Sequence, residues 1–127
     1  DASAIADLLP SKVSKELKSC LGLSTLIYVR TGGQGLHERI PRIEATWAAQ
    51  LPAGMRVIAF YEGVSKATTK SGTIMVGTEA CHKYIQSPPD LQCCKTAQML
   101  YDARQRLRDG DSFSWAFFID DDVYLWT

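Results

Sequence analysis

The feature that most constrains this fold is a set of short, unbroken apolar runs separated by segments of helical periodicity. Three of the runs are rich in β-branched and aromatic residues: Thr25–Arg30, Met55–Phe60 and Trp115–Ile119. Such runs predict strands buried on both faces. A shorter run, Thr73–Val76, predicts a fourth strand. Strands that alternate with helices indicate an α/β fold with a mainly parallel sheet and flanking helices.

Two segments between these runs have helical spacing. In the first, Leu36, Ile40, Ile43 and Trp47 recur every three or four residues, and Pro41 places the helix start near Glu38 or Arg39. In the second, Asp90 is the predicted cap and Gly110 the predicted stop. The apolar residues predicted to share a face of this second helix are Cys93, Ala97, Leu100 and Leu107. Residues 61–72 are expected to form a loop and 77–89 to be irregular.

Charge and composition exclude several classes of function. Fourteen basic residues balance fourteen acidic ones, so no net field attracts nucleic acid or an anionic membrane. No run of about 18 apolar residues predicts a membrane span, although an anchor upstream of Asp1 is compatible with the sequence. The four cysteines lack paired knuckle spacing, which argues against zinc. Their number leaves open two disulfides or four free thiols.

An acidic run, Asp120, Asp121 and Asp122, follows the last apolar strand directly. The carboxyl ends of strands in α/β sheets open into the crevice where ligands bind. Neighbouring carboxylates there are tolerated when they share a Mg²⁺ or Mn²⁺ ion, and a nucleotide diphosphate is the natural partner of such an ion. The glycine that a calcium-binding EF-hand requires is replaced by Leu125, which excludes that motif. The alternative is a solvated acidic turn.

The loop after the first strand is the second candidate for ligand binding. Thr31, Gly32 and Gly33 stand at a strand-to-helix junction, where backbone amides are accessible to an anion. The glycine spacing matches neither a Walker loop nor a dinucleotide fingerprint. Arg39, near the start of the next helix, can offer a diphosphate a forked donor. The alternative for Arg39 is a solvated surface arginine.

Three ordered motifs resemble the β1,3-glycosyltransferase group that includes fringe and core-1 galactosyltransferase. The first, TGGQGLHERIPRIEATWA, has a threonine loop after a strand and a helix closed by Thr46-Trp47. The second, CCKTAQMLYDARQRL, carries the characteristic lysine of the group at Lys95. The third, WAFFIDDDVYLW, has the tryptophan, apolar run and three aspartates of the group. The resemblance covers residues 25–127 and leaves 1–24, a helical N-terminal segment, outside it.

The resemblance implies a GT-A fold of which this chain is the Rossmann-like, donor-binding half. It implies inverting transfer from a UDP-sugar to a glycan or glycoprotein acceptor, with Mn²⁺ or Mg²⁺ as cofactor, in the lumen of the Golgi or ER or outside the cell. Thr31 is expected at the nucleotide edge, and Arg39 and Asp121 are expected to contact the donor. Asp120 is expected in the same donor-binding site, and Asp122 is expected to hold the metal.

The resemblance also bears on the cysteines and on the catalytic base. It implies a disulfide between Cys81 and Cys94, with Cys20 and Cys93 left as a second pair. The base, a further metal-binding histidine and most of the acceptor site of the group are expected at positions after Thr127, so no catalytic residue is assigned.

Two alternatives to an enzyme of this group remain open. One is an inactive transferase-like module, a structural or binding subunit in which a partner chain covers the incomplete sheet. The other is a metal-dependent phosphohydrolase, which is the less favoured because no second carboxylate cluster is present for a two-metal site.

Overall fold

A computed structural model describes residues 24–32, 37–63, 66–85 and 87–125. The predicted N-terminal helical segment, residues 1–24, falls outside these ranges except for Ser24. Gly33 and Leu36 also lie outside them. Within the described ranges no helix combines the length and the apolar character needed to cross a membrane.

The centre of the fold is a mixed sheet of five strands in the order β3-β4-β2-β1-β5. The strands are β1 (Thr25–Arg30), β2 (Met55–Tyr61), β3 (Lys66–Thr68), β4 (Ile74–Gly77) and β5 (Trp115–Asp120). β1 pairs in parallel with both β2 and β5, and β2 pairs in parallel with β4. Only the edge strand β3 is antiparallel. The predicted α/β class, a mostly parallel sheet with flanking helices, is therefore confirmed.

The central strand β1 is buried on both faces, as its uninterrupted apolar sequence predicts. Ile27 and Val29 belong to one core cluster, which also contains Ile40, Ile43 and Trp47. Leu26 and Tyr28 point into a second cluster on the other face. Alternate residues of β1 thus serve two cores, because side chains of a strand project to opposite faces in turn.

Helix α1 (Arg39–Ala45) and the short 3₁₀ helix Trp47–Gln50 cover the first face of the sheet. α1 begins where Pro41 predicts, with the proline in its first turn. Ile40, Ile43 and Trp47 are buried, so the predicted apolar face is confirmed for its described members.

Helix α3 (Pro88–Arg108) covers the second face of the sheet, but the apolar face predicted for it is not the face that is buried. The helix buries Lys95, Met99 and Ala103, whereas Cys93, Ala97, Leu100 and Leu107 are exposed. Apolar residues occur on two sides of α3, so periodicity alone cannot choose between them. Met99 and Ala103 are the pair that packs against the cluster around Tyr28. The helix also starts two residues before Asp90, with Ser87 as the capping position.

Two short elements occur where loops were predicted. β3 lies within the predicted loop 61–72, and all three of its residues are exposed. β3 is held by backbone hydrogen bonds to β4, and such pairing requires no apolar pattern in the sequence. Helix α2 (Glu79–Tyr84) lies within the segment predicted to be irregular. β2 also extends one residue further than predicted, to Tyr61, and β4 is displaced by one residue.

Strand β5 is an edge strand, and the prediction that it is buried on both faces is wrong. Trp115, Phe117 and Phe118 are 61%, 52% and 39% exposed. Ala116 and Ile119 pack against the two cores. The apolar sequence of β5 does not reveal this difference, because strand position in the sheet decides which side chains are covered.

The disulfide between Cys81 and Cys94 is present and joins α2 to the first half of α3. Cys81 is fully buried. Cys93 is a free, exposed thiol. The expected second pair involves Cys20, which lies outside the described residues.

Candidate functional site

The candidate site lies where the order of strands changes direction. From β1 the chain proceeds to β2 and β4 on one side and later returns to β5 on the other side. α1 and α3 lie on opposite faces of the sheet. A crevice therefore opens outside the carboxyl ends of β1 and β5, which is where open α/β sheets bind ligands.

Asp121 is the centre of a polar cluster at this point. The Thr31 hydroxyl donates to Oδ2 of Asp121 at 2.8 Å. Nη1 of Arg39 donates to Oδ1 at 2.6 Å. Thr31 is 1% exposed, whereas the Arg39 side chain is half exposed. The hydrogen bond to Asp121, and then its negative charge, raise the pKa of Arg39 above its ordinary value. Three of the predicted site residues are thus brought together.

Asp121 and Asp122 form a turn directly after β5, and two hydrogen bonds hold this turn in place. The Val123 amide donates to the Asp120 carbonyl at 3.3 Å. Nε1 of Trp47 donates to the Val123 carbonyl at 3.2 Å. Trp47, a buried member of the apolar face predicted from the sequence, therefore also fixes the position of the acidic turn.

Asp120 does not bond to this cluster and is paired with Arg30 instead. Arg30 donates to its Oδ1 through Nε at 2.9 Å and lies 2.6 Å from it through Nη2. Nη1 of Arg30 donates to the Thr96 hydroxyl and to the Gln92 carbonyl on α3. Arg30 thus neutralises the first aspartate and links β1 and β5 to α3.

Asp122 is exposed and makes no hydrogen bond or ion pair with any residue in the described ranges. It nevertheless lines the same cavity as Asp120 and Asp121. Among the described residues, no group of three His, Cys, Asp or Glu side chains forms a complete metal site. A cation held here would need oxygen ligands from a bound phosphate and from water in addition to the protein carboxylate.

The cavity itself has a volume of about 500 Å³, within the range of small-molecule sites. Its lining is rich in charged residues of both signs. The lining residues are Arg30, Thr31, Gly32, Glu38, Arg39, Glu62, Pro88, Leu91, Gln92, Lys95, Asp120, Asp121 and Asp122. All five predicted donor and metal residues, Thr31, Arg39, Asp120, Asp121 and Asp122, therefore border one cavity.

Sequence reasoning missed three charged residues of this cavity, Arg30, Glu38 and Glu62. Glu62 follows β2 just as Asp121 follows β5, and Arg30 ends β1. A charged residue at the carboxyl end of a buried strand was the available signal. Lys95, noted only through the family resemblance, also lines the cavity. It donates to the Thr31 carbonyl at 3.3 Å and to Glu62 Oε1 at 2.9 Å.

Comparison of the chain with models of protein families, with curated proteins and with solved structures finds no match.

Proposed function

We propose that this chain forms the donor-binding region of a UDP-sugar-dependent glycosyltransferase, the Rossmann-like half of a GT-A fold that performs inverting hexosyl transfer. The observation that carries the proposal is the Thr31–Asp121–Arg39 cluster beside Asp122 in one cavity at the sheet switch point. The hydrogen bond from Trp47 to the Val123 carbonyl holds the acidic turn in place, which supports a fixed geometry for its carboxylates.

Arg39 supports the binding of a diphosphate. Its Nη1 is committed to Asp121, which holds the guanidinium at the cavity wall. A guanidinium has five N–H donors arranged as a fork, and half of this side chain is exposed. The remaining donors suit phosphate oxygens, and the pairing with Asp121 orients them before the ligand arrives.

Asp122 fits the role of a protein ligand for Mn²⁺ or Mg²⁺. Its carboxylate is exposed and forms no hydrogen bond or ion pair with any described residue. Mg²⁺ sites commonly use one or two carboxylates together with substrate phosphates and water. When bound, such a cation neutralises charge on the UDP leaving group. Asp121, with both oxygens already bonded to protein groups, is suited to position the donor and Arg39.

The transfer step itself requires groups beyond this cluster. Inverting transfer to the hydroxyl of a glycan or glycoprotein requires a carboxylate that accepts its proton, and no residue is assigned that role. The Cys81–Cys94 disulfide supports an oxidising compartment such as the Golgi or ER lumen, or the extracellular space.

The decisive experiment is calorimetric titration of the chain with UDP, with and without Mn²⁺. We expect tighter UDP binding when Mn²⁺ is present, and we expect Asp122→Asn to remove this difference. Asp109→Asn is the matched control, because Asp109 is an exposed aspartate at the far end of α3. Equal UDP affinity with and without Mn²⁺ in the wild-type chain would refute a metal-dependent donor site.

A second candidate function is an inactive, transferase-like module that binds a partner chain. It is favoured by the exposure of Trp115, Phe117 and Phe118 along the edge strand β5, since exposed apolar edges commonly mark interaction surfaces. This candidate predicts no UDP affinity under any metal condition, so the same titration separates the two functions.

A further inference from the structure

Lys95 is the one charged residue among the buried residues of the described chain. It lies on the face of α3 that packs against the sheet, together with Met99 and Ala103, and is 4% exposed. A buried ammonium group is unfavourable unless it is paired and hydrogen-bonded. The bonds that Lys95 makes therefore indicate why a lysine is present at an otherwise apolar position.

Its two acceptors belong to the ends of neighbouring strands. Thr31, whose carbonyl accepts at 3.3 Å, follows β1, and Glu62, whose Oε1 accepts at 2.9 Å, follows β2. The Thr31 amide in turn donates to the Phe60 carbonyl at 2.9 Å. Lys95 therefore ties the carboxyl ends of both strands to α3 at the edge of the cavity.

The network continues through Thr31 to the candidate donor site. Lys95 holds the Thr31 carbonyl, and the Thr31 hydroxyl donates to Asp121, which also accepts from Arg39. Positive and negative side chains alternate along the path from Glu62 to Arg39. A shift of Thr31 would move the oxygen that fixes Asp121, and Asp121 would then hold Arg39 differently.

We propose that Lys95 is a positioning residue of this site, acting through Thr31 on the orientation of Asp121 and Arg39. This inference rests on the proposed function, in which Asp121 and Arg39 contact the donor. A direct phosphate contact is disfavoured because the Lys95 side chain is only 5% exposed and already has two acceptors.

The test compares Lys95→Met with Lys70→Met, in which the same change is made at an exposed lysine. The first readout is the hydrogen-exchange rate of the Thr31 amide, measured by NMR without ligand. The second is UDP affinity in the presence of Mn²⁺. We expect Lys95→Met to exchange faster at Thr31 and to bind UDP about tenfold more weakly, as is typical when a supporting partner of a binding group is removed. Lys70→Met should match the wild type in both.

Glu62→Met provides a second variant at a position one-third exposed. It removes one acceptor of Lys95 and should change both readouts in the same direction but less, which keeps the test decisive if Lys95→Met does not fold. A wild-type exchange rate at Thr31 in the folded variants would overturn the positioning role, even if UDP binds. Absence of UDP binding by the wild type would instead refute the proposed function, and the exchange rates would still decide the role of Lys95.

Discussion

Replacing Tyr28 with phenylalanine should lower the free energy of unfolding by about 2 kcal/mol. Tyr28 is fully buried, and its hydroxyl donates to Oδ2 of Asp102 at 2.7 Å. Hydrogen bonds to charged groups contribute about 1.5–3 kcal/mol. Arg106 donates to the same oxygen at 2.8 Å, so the carboxylate keeps one partner in the variant. This remaining partner places the expected loss in the lower half of that range.

The substitution isolates the hydroxyl because the ring keeps its neighbours. The Tyr28 ring stacks on Phe118 with centroids 5.1 Å apart and lies 6.1 Å from Phe60. Urea unfolding should therefore show a lower midpoint with an unchanged slope. Tyr101→Phe is the matched control, since Tyr101 is 63% exposed on α3, next to Asp102, and should change stability by less than about 0.5 kcal/mol. Equal midpoints for the two variants would refute the reasoning.

The stability difference between the wild type and Tyr28→Phe should also depend on pH. Burial, followed by the bond to Asp102 and its charge, raises the pKa of Tyr28 above its ordinary value. A raised pKa contributes stability that is fully present below the unfolded value of about 10 and is lost as pH rises further. The stability difference between wild type and Tyr28→Phe should thus be constant from about pH 7 to 9 and shrink above about pH 10. A difference that stays constant through that upper range would contradict the assignment.

Two further predictions concern elements outside the cavity. Replacing both Cys81 and Cys94 by alanine should lower the free energy of unfolding in urea by about 3 kcal/mol, because the bond closes a loop with a sequence separation of 13. Cys93→Ala, at the free thiol, is the control and should have little effect. Equal losses in the two variants would contradict a structural role for the disulfide. The pKa of Asp111 is lowered by its hydrogen bonds from Arg56, which outweigh its burial. The stability that the Arg56–Asp111 pair contributes is present above about pH 4 and is lost as pH falls. The free energies of unfolding of the wild type and of Asp111→Asn should therefore approach each other in acid. A stability difference that widens in acid would refute the assignment.

The two inner strands and α1 could be predicted from the sequence because their local signals agree. β1 and β2 are unbroken apolar runs, and both are central strands that are covered on both faces. The prediction failed for β5, which has the same kind of sequence but lies at the edge. It also failed for β3, because its exposed residues join the sheet only through backbone pairing with β4.

The candidate site was predicted in part for a similar reason. Thr31, Arg39 and Asp121 could be singled out because each stands at a strand end or helix start with a side chain suited to anions or cations. Glu62 and Arg30 could not be linked to them by sequence, since that requires knowing that β2, β1 and β5 are neighbours.

The sequence by itself determined the secondary-structure alternation and the acidic turn, because apolar periodicity and charge are local properties of the chain. The tertiary structure decided which carboxylate each arginine holds, which face of α3 is buried and why Lys95 is covered. These outcomes depend on strand order and helix rotation, and both are decided by packing between residues far apart in the chain. Asp120 to Asp122 are consecutive in sequence, yet one is paired with Arg30, one is bonded to Thr31 and Arg39, and one faces the cavity unpaired among the described residues.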